Sequence, residues 1–163
     1  MTGKIAMAAL VAMALLSAGV HAHGDKPRVA HGDNTAAAEP TAYGRPGTRA
    51  NVTRTLTIAM SDQMRYSPSS LIVKRGETIR IVVRNDGRLL HELVLGTRED
   101  LATHAALMRK FPDMEHEDAN MVHVKPGATG DIVWTFDRAG EFFFACLVAG
   151  HFEAGMTGKV VVK

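Results

Sequence analysis

The 163-residue sequence is short of several things, and each shortage excludes a class of protein. It holds a single cysteine, Cys146, so an internal disulfide framework and any zinc module built from several thiolates are excluded. That thiol is left as a small buried apolar group, a reactive nucleophile or a metal thiolate. Charge of one sign is lacking as well: 19 basic and 17 acidic side chains leave a formal net charge of +2. The basic residues are scattered along the chain, which provides no stripe for nucleic acid. Aromatic residues are few, with one Trp and two Tyr. What is plentiful is imidazole and thioether, from eight His and nine Met, within an apolar fraction of 46% that suffices for one packed core. Such a composition favours metal chemistry, and the positions of these residues decide it.

The N-terminus reads as an address. Lys4 supplies a positive start, Ile5 to Leu16 is uncharged and apolar, and Val20-His21-Ala22 fits a small-x-small cleavage site. Residues 1–22 are therefore expected to be a signal peptide removed after Ala22. The apolar run is shorter than the roughly 20 residues of a spanning helix, so the mature protein is expected to be periplasmic and without a membrane attachment. Residues 23–51 show no apolar period of either 2 or 3.6 and are expected to form a flexible leader. Cleavage after Ala22 leaves His23 with a free amine beside its own imidazole, a pair able to chelate Cu(II) and so a weak additional copper site.

The remainder, residues 52–163, reads mostly as strands. Val52, Leu56, Ile58 and Met60 share one parity, as do Ile79, Ile81 and Val83, then Ile132, Trp134 and Phe136, and the chain closes on Val160 to Val162. Turn signals such as Asn85-Asp86-Gly87, Lys125-Pro126-Gly127 and Arg138-Ala139-Gly140 separate them. The pattern predicts an all-β domain, an antiparallel β-sandwich or Greek-key barrel. One helix is inserted near 97–111: Thr97 can cap it, Glu99 and Asp100 suit its positive end, and Leu101, Ala105, Met108 and Phe111 form its apolar stripe. Pro112 to His123 is expected to be a loop.

The chemistry gathers in the last hairpin. If Phe142 to Ala145 is a strand, Phe142, Phe144 and Cys146 share a face and the thiol emerges at the end of the core. His151 and Met156 follow at equal spacing, each preceded by a glycine. Thiolate, imidazole and thioether on one short loop are donors that copper prefers, and two His, one Cys and a weak axial Met make a blue-copper site. The second imidazole must come from elsewhere, and His91, which opens the run His91-Glu92-Leu93-Val94-Leu95 after a turn, is the best candidate. A Cys146–His151 nucleophile and base would leave His91 and Met156 without a role, and the sequence has no evident oxyanion helix.

The hairpin C-x4-H-x4-M, with an upstream His after the strand Gly76-Glu77-Thr78-Ile79-Arg80, resembles the cupredoxins, most closely the auracyanin-like and plastocyanin-like types. That resemblance implies a Greek-key β-sandwich holding one type 1 copper, with His91, Cys146 and His151 near a trigonal plane and Met156 axial. The signal peptide, the leader histidines and the Met/His-bearing segment 108–123 are similar to the small periplasmic cupredoxins of bacterial copper tolerance. Glu92 stands where such proteins mostly carry Asn or Ser, so the bonding around copper is expected to differ.

Two further expectations complete the reading. Met114, His116 and Met121 offer soft donors for an accessory copper site. The apolar residues around His151 suggest a docking face for a redox protein. The protein is expected to be a copper binder cycling between Cu(I) and Cu(II), not an enzyme, with copper handling as its role and one-electron carriage between redox partners as the alternative.

Overall fold

A computed structural model describes residues 40–112, 114 and 116–163. The expected signal peptide and His23 lie outside the described residues. In chain order the strands are β1 (Arg45–Pro46), β2 (Arg54–Ser61), β3 (Arg65–Ser67), β4 (Ser70–Val73), β5 (Glu77–Asn85) and β6 (His91–Gly96). The helix α1 (Arg98–Lys110) follows, and then β7 (Met121–Val124), β8 (Thr129–Phe136), β9 (Gly140–Ala145) and β10 (Thr157–Val162). Two five-stranded sheets result, ordered β1-β8-β5-β2-β3 and β4-β10-β9-β6-β7. The chain crosses between them repeatedly, as expected of a sandwich. The expectation of purely antiparallel pairing fails at two places, since β2 runs parallel to β5 and β4 parallel to β10.

Alternation explains the core. Ile58 and Met60, Ile79 to Val83, and Ile132 to Phe136 turn every second side chain inward from one sheet. Leu93, Leu95, Phe142, Phe144, Val160 and Val162 meet them from the other. Strand β6 is buried along its whole length, because its outer face is covered as well. There Val94, Ala145 and Leu147 pack against Leu101, Ala105 and Met108 of α1. Thr97 caps that helix reciprocally with Asp100, the two-way arrangement of a capping box.

Three expectations are corrected. Residues 41–51 are not all leader: β1 pairs with β8, and Tyr43 is buried with its ring stacked on Trp134 at 5.4 Å. The segment 112–123 is not loop throughout, for Met121 to Val124 form β7 against β6. Phe111 falls off the helical stripe because the helix stops at Lys110, and its side chain is exposed. Among the described residues no helix is long and apolar enough to cross a membrane.

Candidate metal centre

His91 is the first residue of β6, and its parity, shared with Leu93 and Leu95, turns the ring inward between the sheets. The ring is fully buried, with Nε2 3.1 Å from Asp62 Oδ1 and Nδ1 without a protein partner. The loop ahead of it is fixed from two sides. Asp62 accepts from the backbone N–H groups of Arg88 and Leu89 at 2.8 and 3.2 Å, and Asn85 donates to the Leu89 and Val124 carbonyls, each at 2.8 Å. Of these contacts the Arg88 N–H does most to hold the Asp62 carboxyl below its usual range.

Cys146 follows β9, on the inward parity of Phe142 and Phe144, and is fully buried. Its Sγ lies 3.3 Å from His151 Nδ1 and accepts from the Glu92 N–H at 3.4 Å. Burial pushes the thiol up to about 12, with the Glu92 N–H only partly opposing. His151 sits on the following turn with its ring 4.9 Å from that of His91. Burial, and then the neighbouring His91, hold its pKa down, which keeps a nitrogen lone pair available near neutral pH.

The ligand atoms of His91, Cys146 and His151 all lie within 4.8 Å of one another. Met156 is fully buried in the same core cluster as Cys146. Its backbone spans both neighbours, since its carbonyl accepts from Cys146 N at 3.1 Å and its N–H donates to His151 O at 3.0 Å. Gly150 and Gly155 adopt φ of +89° and +87°, the left-handed region that folds so short a loop tightly. A buried imidazole nitrogen with no partner, gathered with a thiol and a second imidazole, and with Met156 in the same core cluster, is a donor set that fits copper.

Glu92 itself links the two donor-bearing segments. Its side chain is buried, with Oε1 accepting from the Leu147 N–H at 2.7 Å and Oε2 lying 2.7 Å from His123 Nε2. The strand carrying His91 is thereby tied to the peptide just after Cys146. Tyr66 adds a second tie, donating from its buried hydroxyl to the Glu92 carbonyl at 2.6 Å. Neither Asp62 nor Tyr66 announces its role in the sequence: Tyr66 precedes Ser67-Pro68 as part of a turn signal, and nothing local marks Asp62.

The accessory donors separate. Met121 belongs to β7 and is buried beneath α1, so packing accounts for it and it is withdrawn from the set. His116 instead stacks near His104 of α1, with Met114 beside them. The apolar face expected around His151 is also partly spent inside: Leu147 packs under α1, while Val148 and Phe152 are half-buried against the two cores. The large exposed apolar side chains next to a donor in sequence are Leu89 and Leu90.

Known proteins resemble this chain in sequence and in fold. The chain is 50% identical over 159 residues to the copper-resistant cuproprotein CopI of Rubrivivax gelatinosus, covering 98% of this chain and 94% of that one. It is 32% identical over 154 residues to the copper-resistant cuproprotein CopI of Pseudomonas aeruginosa, covering 75% and 83% respectively. Dithionite-reduced auracyanin from Roseiflexus castenholzii shares the fold with a TM-score of 0.59 at 22% identity, over 69% of this chain and 98% of its own. The family model for copper binding proteins of the plastocyanin/azurin type matches residues 52–163. The chain belongs to the plastocyanin/azurin family of copper-binding proteins.

Proposed function

We propose that this protein is an exported type 1 copper protein serving copper tolerance, with His91, Cys146, His151 and Met156 as the ligands. The observation that carries the proposal is the convergence of two imidazole nitrogens and one thiol sulfur within 4.8 Å at a buried end of the sandwich. Copper bound there supplies one-electron chemistry between Cu(I) and Cu(II). The chain supplies the fixed geometry: His91 is braced by Asp62, and Cys146, His151 and Met156 are laced by backbone bonds. Donors held this firmly move little when charge changes. His151 retains about 9% exposure while the other three are fully enclosed, so its ring is the edge through which an electron enters or leaves. Copper tolerance rather than another use is supported by the resemblance over nearly the whole chain to a copper-resistant cuproprotein. Periplasmic placement rests on the signal-like residues 1–22.

The visible spectrum of the exported protein with Cu(II) tests the centre. An intense thiolate-to-copper charge-transfer band that disappears in Cys146→Ser is expected; a colourless protein holding stoichiometric copper overturns the type 1 assignment. A second reading, a soluble one-electron carrier, is favoured by exposed Leu89 and Leu90 next to His91, an apolar surface of the kind weak redox partners use. A deletion strain separates the two roles. Copper sensitivity with intact respiration supports tolerance, and a respiratory defect at low copper supports carriage.

A further inference from the structure

A second set of imidazoles lies on the other side of β6, outside the buried centre. His104 of α1 and His116 of the segment after it place their ring centroids 4.7 Å apart. His123 of β7 stands edge-on to His116 at 6.4 Å. Both ring nitrogens of His116 are enclosed and have no protein hydrogen-bond partner. An enclosed polar nitrogen left this way is destabilising unless something binds it. His104 is held neutral by its burial and by the nearby His116, so its lone pair is also available. The two rings line an open groove of about 530 Å³ together with Met114, Leu107 and Glu99. Packing explains none of this: Met114 is exposed, and His116 follows the helix in a segment without regular structure.

We infer that His104, His116 and Met114 form a second copper site in this groove, distinct from the buried centre and selective for Cu(I). Two imidazoles and a thioether are soft and borderline donors, the combination that cuprous ion takes in preference to hard cations. Glu99 also lines the groove, and its negative charge draws cations toward the opening. The helix supplies one donor and the segment beyond it supplies the others, so binding also pins Met114 and His116 against α1.

The test uses the full-length protein under anaerobic reducing conditions, with Cu(I) titrated against a chromogenic chelator and total copper counted by atomic spectroscopy. Wild type is expected to retain about one more copper per chain than the double variant His104→Ala/His116→Ala, with affinity for that ion weakened more than about tenfold. On reoxidation the thiolate band should reach the same intensity per buried copper in the two proteins, which separates loss of this site from loss of the buried centre. Equal copper counts overturn the inference, as does loss of the extra ion on His23→Ala in place of the double variant. Zinc binding to wild type as tightly as Cu(I) overturns the selectivity. If the double variant is unfolded by circular dichroism, His116→Gln decides by the same count, since His116 is not part of any strand or helix.

Discussion

At the scale of single residues, the centre depends on a thiol that its own fold opposes ionising. The folded-state pKa of Cys146 is about 12, against roughly 8.5 for an unperturbed thiol. Between those values the unfolded chain gives up the proton while the folded apoprotein keeps it. Stability of the apoprotein is therefore fully present below about pH 8.5 and falls as pH rises toward 12. Copper held at the proposed centre would reverse the balance, since a thiolate rather than a thiol ligates metal. Near neutral pH, loading is expected to release about one proton per copper from Cys146, and apparent affinity should fall about tenfold for each unit of decreasing pH. Calorimetry in buffers of different ionisation enthalpy measures that proton; a value near zero contradicts thiolate ligation. His151 contributes little to this dependence, because its pKa is already held down in the fold.

At the scale of elements, α1 is what distinguishes this sandwich from a bare pair of sheets. It seals the outer face of β6 and β9, and Arg109 at its end reaches Glu153 of the donor loop at 3.1 Å. Leu101→Ala removes a buried side chain from that seal and is expected to cost about 2–5 kcal/mol in denaturant unfolding, with the thiolate band retained in the folded fraction. A change below about 0.5 kcal/mol would show the helix to be an ornament on the sheet. The helix was legible in the sequence because its start carries local signals, Thr97 with Asp100, and its stripe has the right period. Its end was not, since Phe111 continues the period by one step without continuing the backbone. Strand β7 escaped notice for another reason. It has only four residues, and its inward and outward pattern is set by the packing of β6 and α1 against it rather than by any period of its own.

At the scale of the whole molecule, the centre brings together residues separated by some sixty positions. Cys146, His151 and Met156 were legible as donors because one loop carries all of them with glycines between. His91 was legible because it opens a strand after a turn signal. The partners that hold them were not, since Asp62 and Tyr66 reach the site only through the sheet pairing of β2, β3 and β5. His104 was equally silent: on a helix its ring reads as one more polar surface group until residue 116 is folded back beside it. The start of the domain shows the same limit. Tyr43 lies in a stretch of turn-forming residues, yet its carbonyl accepts from Trp134 Nε1 at 3.0 Å and its hydroxyl from Asn120 at 3.0 Å. Tyr43→Ala is expected to destabilise the domain by about 3 kcal/mol, read as a lowered thermal midpoint, because a large buried ring and its packing on Trp134 are both lost. An unchanged midpoint would return residues 41–51 to the leader.

Glu92 spends its two oxygens on different neighbours, one on the peptide that follows the thiol and one on a ring at the sheet edge. The carboxylate thus acts as a yoke. Whatever turns the His123 imidazole, an ion lodged against His116 or a protein pressing on β7, pulls through one rigid group on the Leu147 amide and so on the sulfur beside it. The groove under the helix and the pocket between the sheets are harnessed together, and filling the first should retune the colour of the second.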